Sequence, residues 1–93
     1  MKHIFLINSY TVREKVNEVK EKIKDYCHEN KIDYKIEVNG NGLETEDILK
    51  KYQKTNHIII AVGGDGILNR ALNCLVGTNN LLGFLPYGSG NDF

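Results

Sequence analysis

One apolar segment that ends in a glycine-rich turn constrains this chain more than any other feature. Residues 57–62 are largely β-branched or aliphatic and lead directly into a Gly-Gly-Asp-Gly turn at 63–66. A strand that is apolar on both faces is typical of the middle of a parallel sheet covered by helices on both sides. After the turn, apolar residues recur at the spacing of a helix. The turn is therefore predicted where open α/β sheets bind ligands, and where helix N–H groups attract phosphate.

Three further segments have the composition of strands. Residues 3–8 are almost continuously apolar, which predicts a second central strand, and residues 81–85 predict a short one. Residues 34–38 alternate between apolar and polar side chains, the pattern of a strand with one exposed face. We therefore expect this last strand near the edge of the sheet.

Helical patterns separate these strands. Thr11 and Glu14 have the T-x-x-E spacing of a capping box, followed by a long amphipathic stretch. Thr45 is the expected N-cap of a short helix. A third helix is expected from about residue 66 to 76, with Gly77 just beyond its end. The order β-α-β-α-β-α-β predicts an open, three-layer α/β fold with a mainly parallel sheet.

Composition limits the classes of partner. Twelve basic and twelve acidic residues give a formal net charge of zero, so no overall field attracts the chain to nucleic acid. The longest apolar runs are far shorter than the roughly 20 residues needed to cross a bilayer. The amino terminus lacks the pattern of a secretory signal, and we expect a cytoplasmic protein. Cys27 and Cys74 have no histidines at metal-ligand spacing and are expected to be buried, reduced thiols, so no protein-held metal site is predicted.

A second glycine-rich loop follows the last predicted strand. Residues 86–92 read Pro-Tyr-Gly-Ser-Gly-Asn-Asp, and both glycine loops should open on the same edge of the sheet. Two such loops form a cleft whose backbone amides suit a polyphosphate. The alternative is purely local, with Gly-Gly and Asp-Gly as ordinary turns and Asn91 or Asp92 as a helix cap. A helix should follow this loop, so we expect the domain to continue beyond Phe93.

The two loops together resemble a known enzyme family. The sequence Gly-Gly-Asp-Gly-Ile-Leu-Asn at 63–69 is similar to the GGDGT-L-N signature of the diacylglycerol kinase catalytic domain family, which includes bacterial soluble lipid kinases and sphingosine kinases. Residues 85–93 are similar to the family's LPxGT-x-NDF motif. The NAD kinases share the first motif, whereas the second favours the lipid branch. The resemblance covers essentially residues 1–93, as a partial nucleotide-binding domain without the carboxyl-terminal substrate domain.

The resemblance implies a function and a set of binding residues. The family transfers the γ-phosphate of ATP to a lipid hydroxyl with Mg2+, a reaction that depends on positioning and charge neutralisation. Its general base lies in the second domain, so we expect this chain alone to be inactive and name no catalytic residue in it. Peripheral contact with a membrane is compatible with such a substrate. The residues implied at the nucleotide are Asn8, Gly63, Gly64, Asp65, Gly66, Ile67, Leu68, Asn69, Gly88, Ser89, Asn91 and Asp92.

Several positions depart from the family pattern. Ile67 replaces the signature threonine, Ser9 replaces a proline, and Arg70 stands where glutamate is frequent. The Arg70 cation either meets phosphate or is simply exposed to solvent. Rival interpretations are an NAD kinase or sphingoid-base kinase, or a non-catalytic nucleotide-binding or interaction module. Unpaired sheet edges would also allow the chain to associate with itself.

Overall fold

The computed structural model describes residues 1–87, which form a four-stranded sheet. The strands are β1 (His3–Ile7), β2 (Tyr34–Val38), β3 (Ile58–Gly63) and β4 (Leu81–Pro86). Their order is β2-β1-β3-β4, and every neighbouring pair is parallel. The predicted parallel sheet is confirmed, with the two continuously apolar strands inside it and the alternating strand β2 at one edge.

Helices connect the strands. The first crossover contains α1 (Ser9–Val12), a 3-10 turn (Arg13–Lys15) and α2 (Val16–Glu29). The second contains α3 (Thr45–Leu49) and a 3-10 turn (Lys50–Tyr52), and the third is α4 (Asp65–Leu75). No helix among residues 1–87 is long and apolar enough to cross a membrane.

Two apolar cores form because successive strand side chains point to opposite faces of the sheet. On one face, residues of β1 and β3 pack under α3 and α4; the buried members are Ile4, Leu6, Ile48, Leu49, Tyr52, Ile59, Ala61, Ile67, Ala71 and Leu75. On the other face, the buried members are Phe5, Ile7, Val12, Val19, Ile23, Cys27 and Val62, with α2 as the cover. Full burial of each large aliphatic side chain stabilises the fold by about 1.5–3 kcal/mol. These cores confirm the three-layer prediction.

The beginning of the first helix differs from the prediction. The Asn8 side chain is the N-cap, because its Oδ1 accepts the backbone N–H of Tyr10, and Thr11 lies inside the short α1. Arg13 then interrupts the helix with φ 57° and ψ −128°. The predicted Thr11–Glu14 capping box is therefore wrong: its sequence spacing is correct, but the chain has already entered a helix when it reaches Thr11.

Helix α3, in the second crossover, begins at its predicted place but has a different N-cap residue. Thr45 is the first residue of α3, and Glu44 before it is the N-cap. The Glu44 backbone N–H donates to Asp47 Oδ2 at 3.1 Å. Thr45 is fully buried and its hydroxyl serves a different purpose, described below. At the end of α4, Gly77 has φ 80° beyond the C-cap Val76, as predicted.

Candidate functional site

The candidate site lies at the carboxyl ends of β1 and β3. The connection from β1 leads to α2 on one face of the sheet, whereas the connection from β3 leads to α4 on the other. A crevice opens where two such connections diverge, and open α/β sheets bind ligands there. Asn8 marks the end of β1, with its backbone N–H donating to the Val62 carbonyl at 2.9 Å. Gly63 marks the end of β3.

Gly63 is required by the close approach of its neighbours. It has φ 154°, and a Cβ at this position would stand 3.0 Å from Asn8 Cβ and 3.1 Å from Ile67 Cγ2. Gly64 and Gly66 are different, because a Cβ on either would meet nothing within 4 Å. The turn therefore uses one glycine for packing and leaves open space above the other two.

Asn39 joins three segments at this edge of the sheet. It follows β2 and is 3% exposed. Its Oδ1 accepts the Ser9 backbone N–H at 2.7 Å, and its Nδ2 donates to Asn8 Oδ1 and to Thr45 Oγ1, each at 3.2 Å. The loop after β1, the end of β2 and the start of α3 are thus held by one side chain.

The same network occupies the side chain of Asn8. Its Oδ1 accepts from Tyr10 and from Asn39, and its Nδ2 donates to Thr11 Oγ1 at 3.0 Å. Asn8 was predicted as a ligand-contacting residue. It lines the cavity described next, and its hydrogen bonds also fix the loop after β1.

A cavity of about 360 Å³ opens at this point. Its walls come from the loop after β1, the end of β2, the start of α3 and the first two turns of α4. The lining residues are Asn8, Tyr10, Asn39, Glu44, Thr45, Gly66, Ile67 and Arg70. One carboxylate and one guanidinium are among them, so the cavity presents both a strong acceptor and a strong donor.

Three exposed side chains meet at the mouth of the cavity. The Tyr10 hydroxyl donates to Glu44 Oε1 at 2.8 Å, and Arg70 Nη1 lies 4.0 Å from Glu44 Oε2. The hydrogen bond to Glu44 raises the pKa of Tyr10, because a neutral phenol is needed to donate it. We call Tyr10, Glu44 and Arg70 the mouth cluster. It connects the loop after β1, the start of α3 and the second turn of α4.

Three of the predicted binding residues line this cavity, whereas Gly63, Gly64, Asp65, Leu68 and Asn69 do not. Asn8, Gly66 and Ile67 line it, although the Ile67 side chain is 2% exposed and packs mainly into the core. Gly64 is the N-cap of α4 and Asp65 its exposed first residue. Leu68 and Asn69 follow in α4 and do not line the cavity. The predicted residues Gly88, Ser89, Asn91 and Asp92 lie outside the described part of the chain.

Sequence reasoning missed four of the lining residues: Tyr10, Asn39, Glu44 and Thr45. Asn39 offered a usable signal, because a polar residue directly after a parallel strand lies at the ligand-binding edge. Its Asn-Gly context indicated a turn instead, and the turn does form, with Gly40 and Leu43 bridged. The roles of the other three depend on contacts between distant segments.

Carboxylates do not cluster at this site. Among residues 1–87, no group of three or more His, Cys, Asp or Glu side chains could hold a metal ion. Asp65 is a single exposed carboxylate beside the glycine turn.

Comparison with known proteins extends the resemblance noted in the sequence. Residues 2–93 match the model of the diacylglycerol kinase catalytic domain. The chain is 44% identical over 39 residues to "Diacylglycerol kinase" from two strains of Mycobacterium tuberculosis, CDC 1551 / Oshkosh and ATCC 25618 / H37Rv. The aligned part is 42% of this chain and only 13% of each relative. No solved structure matches significantly.

The family match covers almost every residue, and the four-stranded parallel sheet agrees with the fold that the resemblance implied. The chain therefore belongs to the diacylglycerol kinase catalytic domain family.

Proposed function

We propose that this chain is the nucleotide-binding part of a lipid kinase, which in the intact protein transfers the γ-phosphate of ATP to the hydroxyl of a diacylglycerol-type lipid. The observation that carries this proposal is the crevice between Asn8 and the glycine turn. This crevice holds a cavity at the edge of the sheet where α/β folds bind phosphorylated ligands. The family to which the chain belongs supports the same interpretation.

The glycine turn supports the binding of phosphate. Gly64 and Gly66 leave open space over the amino end of α4, an 11-residue helix. Backbone N–H groups in the first turn of a helix have no partner within the helix, and they attract anions together with the helix dipole. A polyphosphate can approach this backbone closely because no side chain stands in its way.

The Asn39 network supports a preformed site. Phosphoryl transfer relies on positioning and electrostatic stabilisation, so the segments around the nucleotide must be held in place. Asn39 and Asn8 hold the loop after β1 against the start of α3. Magnesium would be brought by ATP, with Asp65 as the nearby carboxylate. The lipid and the general base would belong to a further domain, and we propose that residues 1–93 alone do not phosphorylate lipid.

The test is ATP binding by the 93-residue chain, measured by isothermal titration with and without Mg2+. Gly66→Leu places a side chain in the cavity, and we expect it to weaken ATP binding by about 10-fold or more. Asn73→Leu is the matched control, since it adds the same side chain to an exposed position of the same helix outside the cavity.

Saturable ATP binding that Gly66→Leu reduces and Asn73→Leu leaves unchanged would support the proposal. Two results would overturn it: a folded wild-type chain that binds no ATP, or equal binding by both variants. Circular dichroism of each variant separates lost binding from lost structure.

A further inference from the structure

Arg70 lies in the second turn of α4, four residues after Gly66. Residues at this spacing are neighbours on one face of a helix, and helical side chains lean towards the amino terminus. Arg70 and Gly66 therefore lie on the same face of α4, and the space beside Gly66 is open, since a Cβ there would meet nothing within 4 Å. Both residues line the cavity. This explains how a residue of the second turn takes part in a site at the helix start.

The present partner of Arg70 holds it weakly. Arg70 Nη1 is 4.0 Å from Glu44 Oε2, and the two side chains are 55% and 43% exposed. An ion pair of this length between exposed groups contributes little, because water solvates both charges. The guanidinium thus belongs to a residue that lines the cavity, and its ion pair with Glu44 is weak enough to be replaced by another anion.

Glu44 is held more firmly than Arg70. The Tyr10 hydroxyl donates to its Oε1 at 2.8 Å, and its backbone N–H donates to Asp47. If a stronger anion enters the cavity, Arg70 is the member of the mouth cluster that can change partner, whereas Glu44 keeps its contact with Tyr10.

A phosphate group is the anion that fits this arrangement. A guanidinium presents paired N–H donors that match two oxygens of a phosphate, and such charge-assisted hydrogen bonds are roughly twice as strong as neutral ones. The helix dipole favours an anion at the amino end of α4, and a nearby guanidinium favours the same anion. A phosphate next to Gly66 would meet both the guanidinium and the α4 amides.

We propose that Arg70 binds a phosphate group of the nucleotide, replacing Glu44 with the ligand, and that Glu44 weakens this binding through its negative charge. This inference rests on the proposed nucleotide function. It answers the question left open by the sequence, where the Arg70 cation was either a phosphate ligand or an exposed surface charge. It also assigns Arg70 a part in ligand selectivity, since the contact favours phosphorylated over unphosphorylated nucleosides.

The experiment compares ATP and adenosine binding by isothermal titration. Arg70→Gln should weaken ATP binding by about 10-fold or more and leave adenosine binding unchanged. Arg70→Lys should fall between wild type and Arg70→Gln, because it keeps the charge and loses the paired donors. Glu44→Gln should tighten ATP binding by about two- to fivefold, since a like charge is removed near the phosphate. Lys54→Gln, an exposed lysine outside the cavity, is the control for the change in net charge.

Opposite effects of Arg70→Gln and Glu44→Gln on ATP would establish the phosphate contact, since a purely structural role predicts a loss in both variants. Equal ATP affinity in wild type and Arg70→Gln would overturn the inference, while binding that remains sensitive to Gly66→Leu would leave the proposed function intact. Adenosine binding weakened as much as ATP binding would also overturn it. A wild-type chain that binds neither compound would refute both the function and the inference.

Discussion

Asn39 and Asn8 lie thirty-one positions apart in the sequence and are joined side chain to side chain, with Asn39 Nδ2 donating to Asn8 Oδ1 at 3.2 Å. The two residues end neighbouring parallel strands, and their amides link the loops that follow. The walls of the cavity are therefore positioned by buried polar groups as well as by apolar packing.

Replacing Asn39 with leucine should destabilise the fold. The variant removes three hydrogen bonds and leaves the Ser9 N–H without its acceptor, so we expect the free energy of unfolding to fall by about 2–3 kcal/mol. Urea unfolding followed by circular dichroism measures the change. Asn17→Leu, at an exposed position of α2, is the control and should cost less than about 0.5 kcal/mol. Similar losses of unfolding free energy in both variants would show that the hydrogen bonds of Asn39 contribute no measurable stability.

Two glycines of one turn should respond to alanine with opposite signs. Gly63→Ala forces a Cβ against Asn8 and Ile67 at φ 154°, and we expect a loss of about 1–3 kcal/mol. Gly66→Ala adds a Cβ in open space within a helix and should gain about 0.5–1 kcal/mol. Thermal unfolding of both variants in one buffer tests this. Equal stability of the two would contradict the tight packing of Gly63.

Glu37 on β2 is a buried carboxylate outside the cavity. It accepts hydrogen bonds from the Tyr52 hydroxyl and from Lys51 Nζ, the latter at 2.8 Å, and Lys35 Nζ lies 3.6 Å away. Burial alone would raise the pKa of Glu37, but these hydrogen bonds and charges together hold it below its ordinary value of 4.5. Burial and the neighbouring carboxylate raise the pKa of Tyr52, so the phenol stays protonated as a donor.

This cluster makes stability depend on pH. Because the pKa of Glu37 is lower in the folded chain than in the unfolded chain, its contribution is fully present above about pH 4.5 and is lost as the pH falls through the folded pKa. Glu37→Gln should cost about 1–2 kcal/mol at pH 7, and the difference from wild type should shrink towards pH 3. Urea unfolding at pH 7, 5 and 3 measures it, with the exposed Glu21→Gln as control. A difference that is constant with pH would exclude a charged role for Glu37.

The two cysteines should react at different rates. Cys27 in α2 is fully buried, whereas Cys74 in α4 is half-buried, and burial raises the pKa of both thiols. The thiolate is the reactive form, so both should be slow, with Cys74 modified first. Labelling with a thiol reagent at pH 8, in wild type and in Cys74→Ser, follows each site. Fast modification of the native Cys74→Ser chain would contradict the burial of Cys27.

The sheet was predictable from the sequence because its strands carry their own signal. Continuous apolar residues at 58–62 and alternating residues at 34–38 identify the inner and edge positions directly. Helix starts were less predictable, since Asn8 and Glu44 compete as caps with Thr11 and Thr45 and only the loop geometry decides between them.

The cavity was predicted in part. The glycine turn is recognisable from its residue types and their spacing. The contact of Tyr10 with Glu44, in contrast, joins residues 34 positions apart and depends on how two loops meet. Long-range polar contacts of this kind have no periodic signature. Their residues become recognisable only once strand order brings the carboxyl ends of β1, β2 and β3 side by side.

The central position of β1 has a consequence for how the chain folds. Of the four strands described, β1 comes first in the sequence, and both of its neighbours follow it: His3 pairs with Tyr34 on one side and with Ile58 on the other. Each pairing closes a long loop, and such loops carry an entropic cost that slows folding. The cavity is lined by residues that follow β1, β2 and β3 in the sequence, so it is complete only when these three strands have paired. A ligand of the cavity therefore binds only chains whose sheet has formed, and by mass action it shifts the folding equilibrium towards the folded state.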